Sequence, residues 1–523
     1  MAHGYRSGDR DQQFLMPPDM RDWLPPDHLV WTVLEVIDQV DTSAFHRLSR
    51  RGGAGRAGFD PDVLLAVLVL GYCTGQRSSR QLERLCAQDV GFRVASGNLV
   101  PDHTVLARFR QAHSAAFEEL FGQVLVLAAG HGLVRLDTVA VDGTKIAANA
   151  SLDANRDEKW VREQARKIVE QAQAVDAAED ELFGDARGDE PDPVMADPAS
   201  RKEEVAKWLE GVRRAKSDYE RVQRERDERV ERRKQGLAKG ASHRGRYGGD
   251  LDQRVEQARI SWQSAFNAQQ AKVEAYAAAK AAGHKPPFRE PVSAESHAYT
   301  ARRKRNYDRL LAEQAEAARV PQKPAQGDDA GPRFTVNVTD PESRIMTTRK
   351  GWVQAYNAQL AVTGEQLIVA SSVGCSNDTR EFVPMMAAAQ RAQVLIEAVT
   401  GRPHPIGVLL ADAGYASTEN LTAEGPDRLI ALGKSRHLAR RELVHGPPAP
   451  DADPRTLMQH RLDTEEGRAL YKRRSATVEP AIGNLKKLID RFSMRGLAAA
   501  RAETHLAAAC FNILKIHRAP ALA

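Results

Sequence analysis

A short β pattern set apart from all the others most constrains this chain. Residues Asp137 to Asp142 (DTVAVD) alternate Val139 and Val141 with smaller residues, as a half-buried strand does. The β pattern then does not resume until about residue 353. Between the two lies a long, charged, mostly helical stretch. The first strand is therefore expected to join strands far ahead of it in sequence, with 151–335 as a helical insertion.

The helical stretch has its own order. Val205, Val212 and Tyr219 keep a seven-residue spacing, interleaved with Trp208, Ala215 and Val222, as a coiled-coil or helical-hairpin seam requires. A second helix pattern covers roughly Leu251 to Ala282. Residues 201–250 hold 16 Lys+Arg against 10 Asp+Glu. Such a surplus fits a solvated helix face and equally a DNA-backbone contact. Pro/Gly/Asp-rich segments near 184–199, 236–250 and 320–333 read as flexible joints.

Residues 1–130 read as all-α after a short extended lead. Asp60-Pro61 is a helix start, with Asp as N-cap and Pro at the first helical position. The run Val63 to Tyr72 is apolar nearly all round, which predicts a buried helix. Thr74-Gly75 ends it, Ser78 or Ser79 opens RQLERLCAQD, and Asp102 opens HTVLARFRQAH. Three short helices with tight turns suit a helix-turn-helix DNA reader, and equally a plain helical bundle.

From 352 the pattern becomes α/β. WVQAYNAQLAV and QLIVASSV form a hairpin about Thr363-Gly364-Glu365, and a helix follows from about Arg380 to Val399. IGVLLA (406–411) is a fully apolar strand ending at Asp412, and RLIALG (428–433) reads as another. Residues 437–456 are loop-like, and from Gly467 the chain reads as helix nearly to its end.

Composition bounds the rest. With 523 residues and 42% hydrophobic content the chain has enough apolar sequence for several packed domains. The net charge of +5 permits a polyanionic partner without requiring one. Cys73, Cys86, Cys375 and Cys510 are scattered, with no zinc spacing, and read as buried thiols. The N-terminus is polar and no run approaches the roughly eighteen apolar residues that span a bilayer. The expectation is a cytoplasmic protein with no membrane contact.

Asp142 and Asp412 share one context: each is expected to close an apolar strand and precede a Gly-containing turn, leaving its carboxylate at the sheet edge. If the strands are neighbours the carboxylates converge, which a divalent cation would relieve. Glu479 lies on or beside a helix, with Lys486 seven residues later on the same face. Strand-Asp, hairpin, helix, strand-Asp, helix-Glu is the order of an RNase H-like fold.

In these motifs the chain resembles the DDE transposases of bacterial insertion sequences, in particular the branch called IS eleven-eighty-two. The resemblance is carried by PDMRDWLPPDHLVW, by GYCTGQRSSRQLERLCAQDVGFRVASGNLVPDHTVLARFR, by VAVDGTKIAANAS, by TDPESRIM and by GWVQAYNAQLAV. It continues through VLLADAGYAS and EEGRALYKRRSATVEPAIGNLKK to RGLAAARAETHLAAACFNILK. It implies an α/β RNase H-like catalytic core, formed by 131–150 and 336–523, behind a helical DNA-binding domain at 1–130. Asp142, Asp412 and Glu479 would be catalytic and metal-binding, taking two Mg²⁺ or Mn²⁺ ions for phosphoryl transfer. Tyr471, Arg474 and Lys486 would complete the Tyr-Arg-Glu-Lys signature, and Lys145, with these three, would face DNA phosphates. Tyr415 and Tyr471 fit core packing as well as DNA contact, and Lys145 fits a solvated surface charge. His103 and His505 read as ordinary helix residues.

One departure concerns spacing. Four residues, not three, separate Arg474 from Glu479, and Pro480 disfavours α geometry at Glu479. A helix start or kink there would absorb the extra residue, with Arg473 as the substitute cation. The implied partners are double-stranded DNA, both terminal inverted repeats and target, and a second copy of the chain in a homodimer associated with the nucleoid. A metal-dependent DNA nuclease and a non-catalytic DNA-binding relic are the rival readings.

Overall fold

The computed structural model describes residues 19–47, 58–167, 198–238, 251–283, 289–319, 334–348, 351–374, 378–433 and 441–519. Cys375 and most of the expected joints at 184–199, 236–250 and 320–333 lie outside them, as does the polar segment 1–18. The chain divides into two compact units, Met1–Arg156 with Val336–Ala523, and Asp157–Thr335.

The first unit begins with helices Leu29–Gln39 (α1), Pro61–Cys73 (α2), Ser79–Gln88 (α3), Val90–Ala95 (α4), His103–Ala112 (α5) and Ala116–Gly130 (α6). Local chemistry starts several of them. Asp60, Asp89 and Asp102 each accept a hydrogen bond from a first-turn amide, which satisfies donors a helix start leaves unpaired. α2 is apolar on every side and Leu64 to Cys73 are buried throughout. Cys73, Cys86 and Cys510 are buried free thiols.

A six-stranded sheet follows. Its strands are Thr138–Ala147 (β1), Arg344–Thr348 (β2), Gly351–Thr363 (β3), Ile368–Gly374 (β4), Val408–Ala411 (β5) and Arg428–Ile430 (β6). β3 is central on one side: it pairs antiparallel with β1 on one edge, and with β2 and β4 on the other. β1 pairs parallel with β5, and β5 parallel with β6.

Helices Asp378–Thr400 (α7), Pro454–Asp463 (α8), Glu465–Leu488 (α9) and Leu497–Arg518 (α10) pack with the sheet, and the short helices Ser43–His46 and Thr418–Thr422 also belong to this unit. The expected loop through 456 thus gives way to helix at Pro454, where Asp453 caps the first turn. The expected single C-terminal helix is broken at Ile489–Gly496. There the Phe492 amide donates to Ala147 O at 2.8 Å and extends the sheet beside β1.

Side-chain alternation gives the sheet two apolar faces. Val139, Val141, Leu409, Ala411 and Ile430 pack with Phe382, Met385 and Ile396 of α7. Ala140, Ile146, Leu360 and Leu410 share a core with Val478, Ala481 and Leu485 of α9, with α10 and with the N-terminal helices. Glu503 of α10 is fully buried, and is satisfied by the Tyr72 hydroxyl at 2.9 Å and by Ser493 N and Oγ, each at 2.8 Å.

The second unit contains helices Pro198–Ala238, Leu251–Ala281 and Ala298–Arg319. Val255, Ala258 and Leu310 form a small core between the last two, with Trp262 stacked on Tyr307. Along the seven-residue seam Val205 and Val212 are buried, whereas Tyr219 and Val222 are exposed.

Candidate active site

Asp142 lies on β1. The sequence pattern ends that strand here, but the structure carries it five residues further, because β3 pairs with β1 from Val139 to Ala147 without a break. What ends at this level is the neighbour on the other edge. β5 pairs with β1 from Thr138↔Val408 to Val141↔Ala411, and the next residues on the two strands are Asp142 and Asp412. Adjacent strands run roughly 4.8 Å apart, so the parallel register brings the two carboxylates together. Asp412 then caps the short helical turn Ala413–Tyr415, accepting from Gly414 N at 2.8 Å.

A buried guanidinium stands between them. Arg474 of α9 reaches Asp142 Oδ2 at 2.8 Å and Asp412 Oδ2 at 3.9 Å. Its side chain is 8% exposed and its Nε has no hydrogen-bond partner. The substitute cation, Arg473, points elsewhere and approaches Thr138 Oγ1 at 3.5 Å. Burial raises the Asp142 carboxyl to about 6; Arg474 opposes the shift, and Asp412 and Asp378 add to it. Burial also raises the Tyr415 hydroxyl, which donates to Gln359 inside the core.

Glu479 is exposed on α9. The expected helix start is absent: α9 runs continuously from Glu465 to Leu488 with Pro480 inside it. A proline there leaves the carbonyl four residues earlier without its helical donor. That carbonyl, Ala476 O, accepts instead from Gln366 Nε2 at 3.3 Å.

Glu479 and Lys486 line one open cleft of about 1550 Å³ with Asp142, Asp412, Lys145 and Asp378. Lys145 is exposed and donates to Thr347 O at 2.5 Å. Partial burial lowers the Lys486 ammonium. Tyr471 does not reach the cleft; it is buried in the core beneath α9. Asp142, Asp412 and Glu479 share the cleft without closing into a mutual cluster. Among the described residues, the acid and histidine groups within 4.8 Å of one another are His46/Asp60/Asp62 and Glu83/Asp102/His103. His505 contacts Ser371 O and stacks on Phe121.

Asp378 escaped the sequence reading, as did the amides that hold it. Asn357 Nδ2 and Gln359 Nε2 donate to its Oδ1 at 2.9 and 2.8 Å. The available signal was Asn357 and Gln359 at i and i+2 in the largely apolar run WVQAYNAQLAV, which places both on one face of a buried strand.

Two family models match. Residues 18–112 match a transposase domain (DUF772), and residues 441–517, which include Arg474 and Glu479, match a transposase DDE domain. These matches indicate a DNA transposase. Together they support an insertion-sequence transposase of the DDE type. Neither match extends over Asp142 or Asp412. No curated protein and no solved structure matches the chain. No helix among the described residues is long and apolar enough to cross a membrane.

Proposed function

We propose that this transposase cleaves and joins DNA strands at the ends of its insertion sequence, using divalent cations held by Asp142, Asp412 and Glu479. The observation that carries this reading is the pairing of Asp142 and Asp412 on adjacent parallel strands, in one cleft with Glu479. The strand order β4–β3–β1–β5–β6, antiparallel across its first three members and parallel across the rest, supports an RNase H-like core.

The residues fit such cations. All the donors are carboxylate oxygens, which suit Mg²⁺ or Mn²⁺. Asp142 resists ionisation because burial and two neighbouring acids disfavour its charge, and an added cation reverses that balance. Two ions bound there would supply the charge that favours attack of water or a 3′-hydroxyl on a phosphodiester and that steadies the leaving oxygen.

The chain's own groups do the rest. Arg474 holds the two aspartates toward each other and limits their repulsion. Lys145 and Lys486 are cations on the cleft wall for phosphate oxygens. Trp352, 67% exposed on the same wall, offers a flat face to a base. The N-terminal helices would bind the terminal repeats, and the basic helices of the second unit would contact DNA backbone. Two DNA ends must meet in one reaction, which a homodimer achieves.

The test is Mg²⁺-dependent cleavage and joining of DNA carrying the flanking repeats, with wild type, Asp142→Asn and Glu479→Gln in parallel. Cleavage and joining by wild type alone are expected. Cleavage without joining to a 3′-hydroxyl end would point to a nuclease. Binding without cleavage by the folded wild type, in Mg²⁺ and in Mn²⁺, would leave a DNA-binding relic.

A further inference from the structure

Resting on the cation-site reading above, we propose that Asp378 is a fourth carboxylate of that site, held ready by Asn357, Gln359 and Tyr415.

Asp378 is the first residue of α7, which packs against the face of the sheet opposite α9. Alternation along β1 directs Asp142 toward α9 and residue 143 toward α7. Residue 143 is glycine, and this opens the path. A Cβ at 143 would lie 2.5 Å from Asp378 Oδ1 and closer still to Gln359 Nε2. Through that gap the Asp378 carboxylate reaches the cleft that Asp142, Asp412 and Glu479 line.

Its placement is built in detail. Both amide donors go to Oδ1, and Gln359 is itself fixed by accepting from the buried Tyr415 hydroxyl. Thr379 Oγ1 donates to Gly414 O at 2.7 Å, and Asn420 Nδ2 donates to both Thr379 O and Tyr415 O at 2.7 Å. These bonds tie the start of α7 to the turn that carries Asp412. Oδ2 of Asp378 lies on the Gly414 side, facing that same turn.

Charge supplies an independent argument for a ligand. Asp142 and Asp412 flank one buried guanidinium, Arg474, while Asp378, close enough to Asp142 to raise its carboxyl, is held by the neutral amides of Asn357 and Gln359. With Arg474 shared between Asp142 and Asp412 and only neutral donors on Asp378 Oδ1, negative charge remains at this partly buried end of the cleft, which a hard divalent ion would neutralise. A purely structural aspartate would need only its two amide donors, with no exposure to the cleft.

The experiment is a titration of the full-length, DNA-free protein with Mn²⁺, reading free ion by electron paramagnetic resonance, alongside melting without metal. Asp378→Asn keeps an acceptor for the two amides and is expected to weaken Mn²⁺ binding at least roughly tenfold, with unchanged melting. Asp378→Glu, which keeps the charge, should recover part of that loss and serves if the Asn variant misfolds. Wild-type affinity in a folded Asp378→Asn, with binding lost in Asp142→Asn, would overturn the role of Asp378 alone. Wild-type affinity in both variants would overturn the cation site itself.

Discussion

Asp142 is ionised at a cost in the metal-free protein. Its folded value, about 6, lies above the ordinary 3.8, so the folded state binds the proton more tightly than the unfolded chain. Stability contributed by the protonated group is complete below about 3.8 and is lost as pH rises through about 6. Asp142→Asn mimics the protonated form. It should stabilise the metal-free protein at pH 7–8 by on the order of 1–3 kcal/mol, with the gain shrinking toward pH 4. Urea denaturation across that range checks this, and a gain independent of pH would refute it. For the same reason divalent affinity should fall as pH drops below about 6. Gly143→Ala should cost roughly 1–3 kcal/mol, since the added carbon meets the Gln359 amide and the Asp378 carboxylate. Lys145→Ala and Lys486→Ala should each lower the salt slope of DNA binding by about one; filter binding at several salt concentrations measures it. The aspartates were legible because each follows a short apolar run. Asp378 was not, because an acid at a helix start resembles an ordinary cap.

At the level of elements the register of β1 against β5 matters most. Sequence placed Asp142 at a strand end, reading Gly143 as a turn. In the structure Gly143 stays extended opposite Gln359, and the strand that stops is β5. The second misjudged element is α9. Proline was expected to mark a helix start or a kink, yet the helix begins at Glu465 and runs through it, with Gln366 supplying the donor that Pro480 lacks. No local pattern predicts a partner 110 residues away. A double-mutant cycle tests the pairing: Gln366→Ala should cost about 1 kcal/mol more with Pro480 than with Pro480→Ala, where the helix satisfies Ala476 O itself. Equal costs in the two backgrounds would remove Gln366 from this role. The structure also decides between the two arginines. Arg474 reaches Asp142 and Asp412, whereas Arg473 reaches Thr138 at the start of β1.

On the scale of the whole molecule, the sheet is assembled from segments on either side of the second unit. β1 finds its partners β3 and β5 only after more than 200 residues of intervening sequence. The N-terminal helices share one core with α9 and α10. In the second unit the heptad seam is only half used, with Tyr219 at 40% and Val222 at 50% exposure. If that half joins two copies, Val222→Glu should weaken self-association roughly tenfold or more, as light scattering during size-exclusion chromatography would show, because a charge at an apolar seam position is poorly desolvated. An unchanged dimer would place the interface elsewhere.

Sequence by itself determined the alternation of β1 and the unbroken apolar run of β5, the burial of α2, the order of elements around Asp142 and Asp412, and the kinship signalled by the motifs. Those are local properties, set by periodicity, by capping residues and by short runs of side chains. Tertiary structure alone decided that Arg474 stands between the aspartates, that Pro480 is tolerated, and that Asp378 reaches the cleft past a glycine. Each depends on which distant residue occupies the adjoining space, and side-chain packing sets that only once the sheet and its two helical layers have closed.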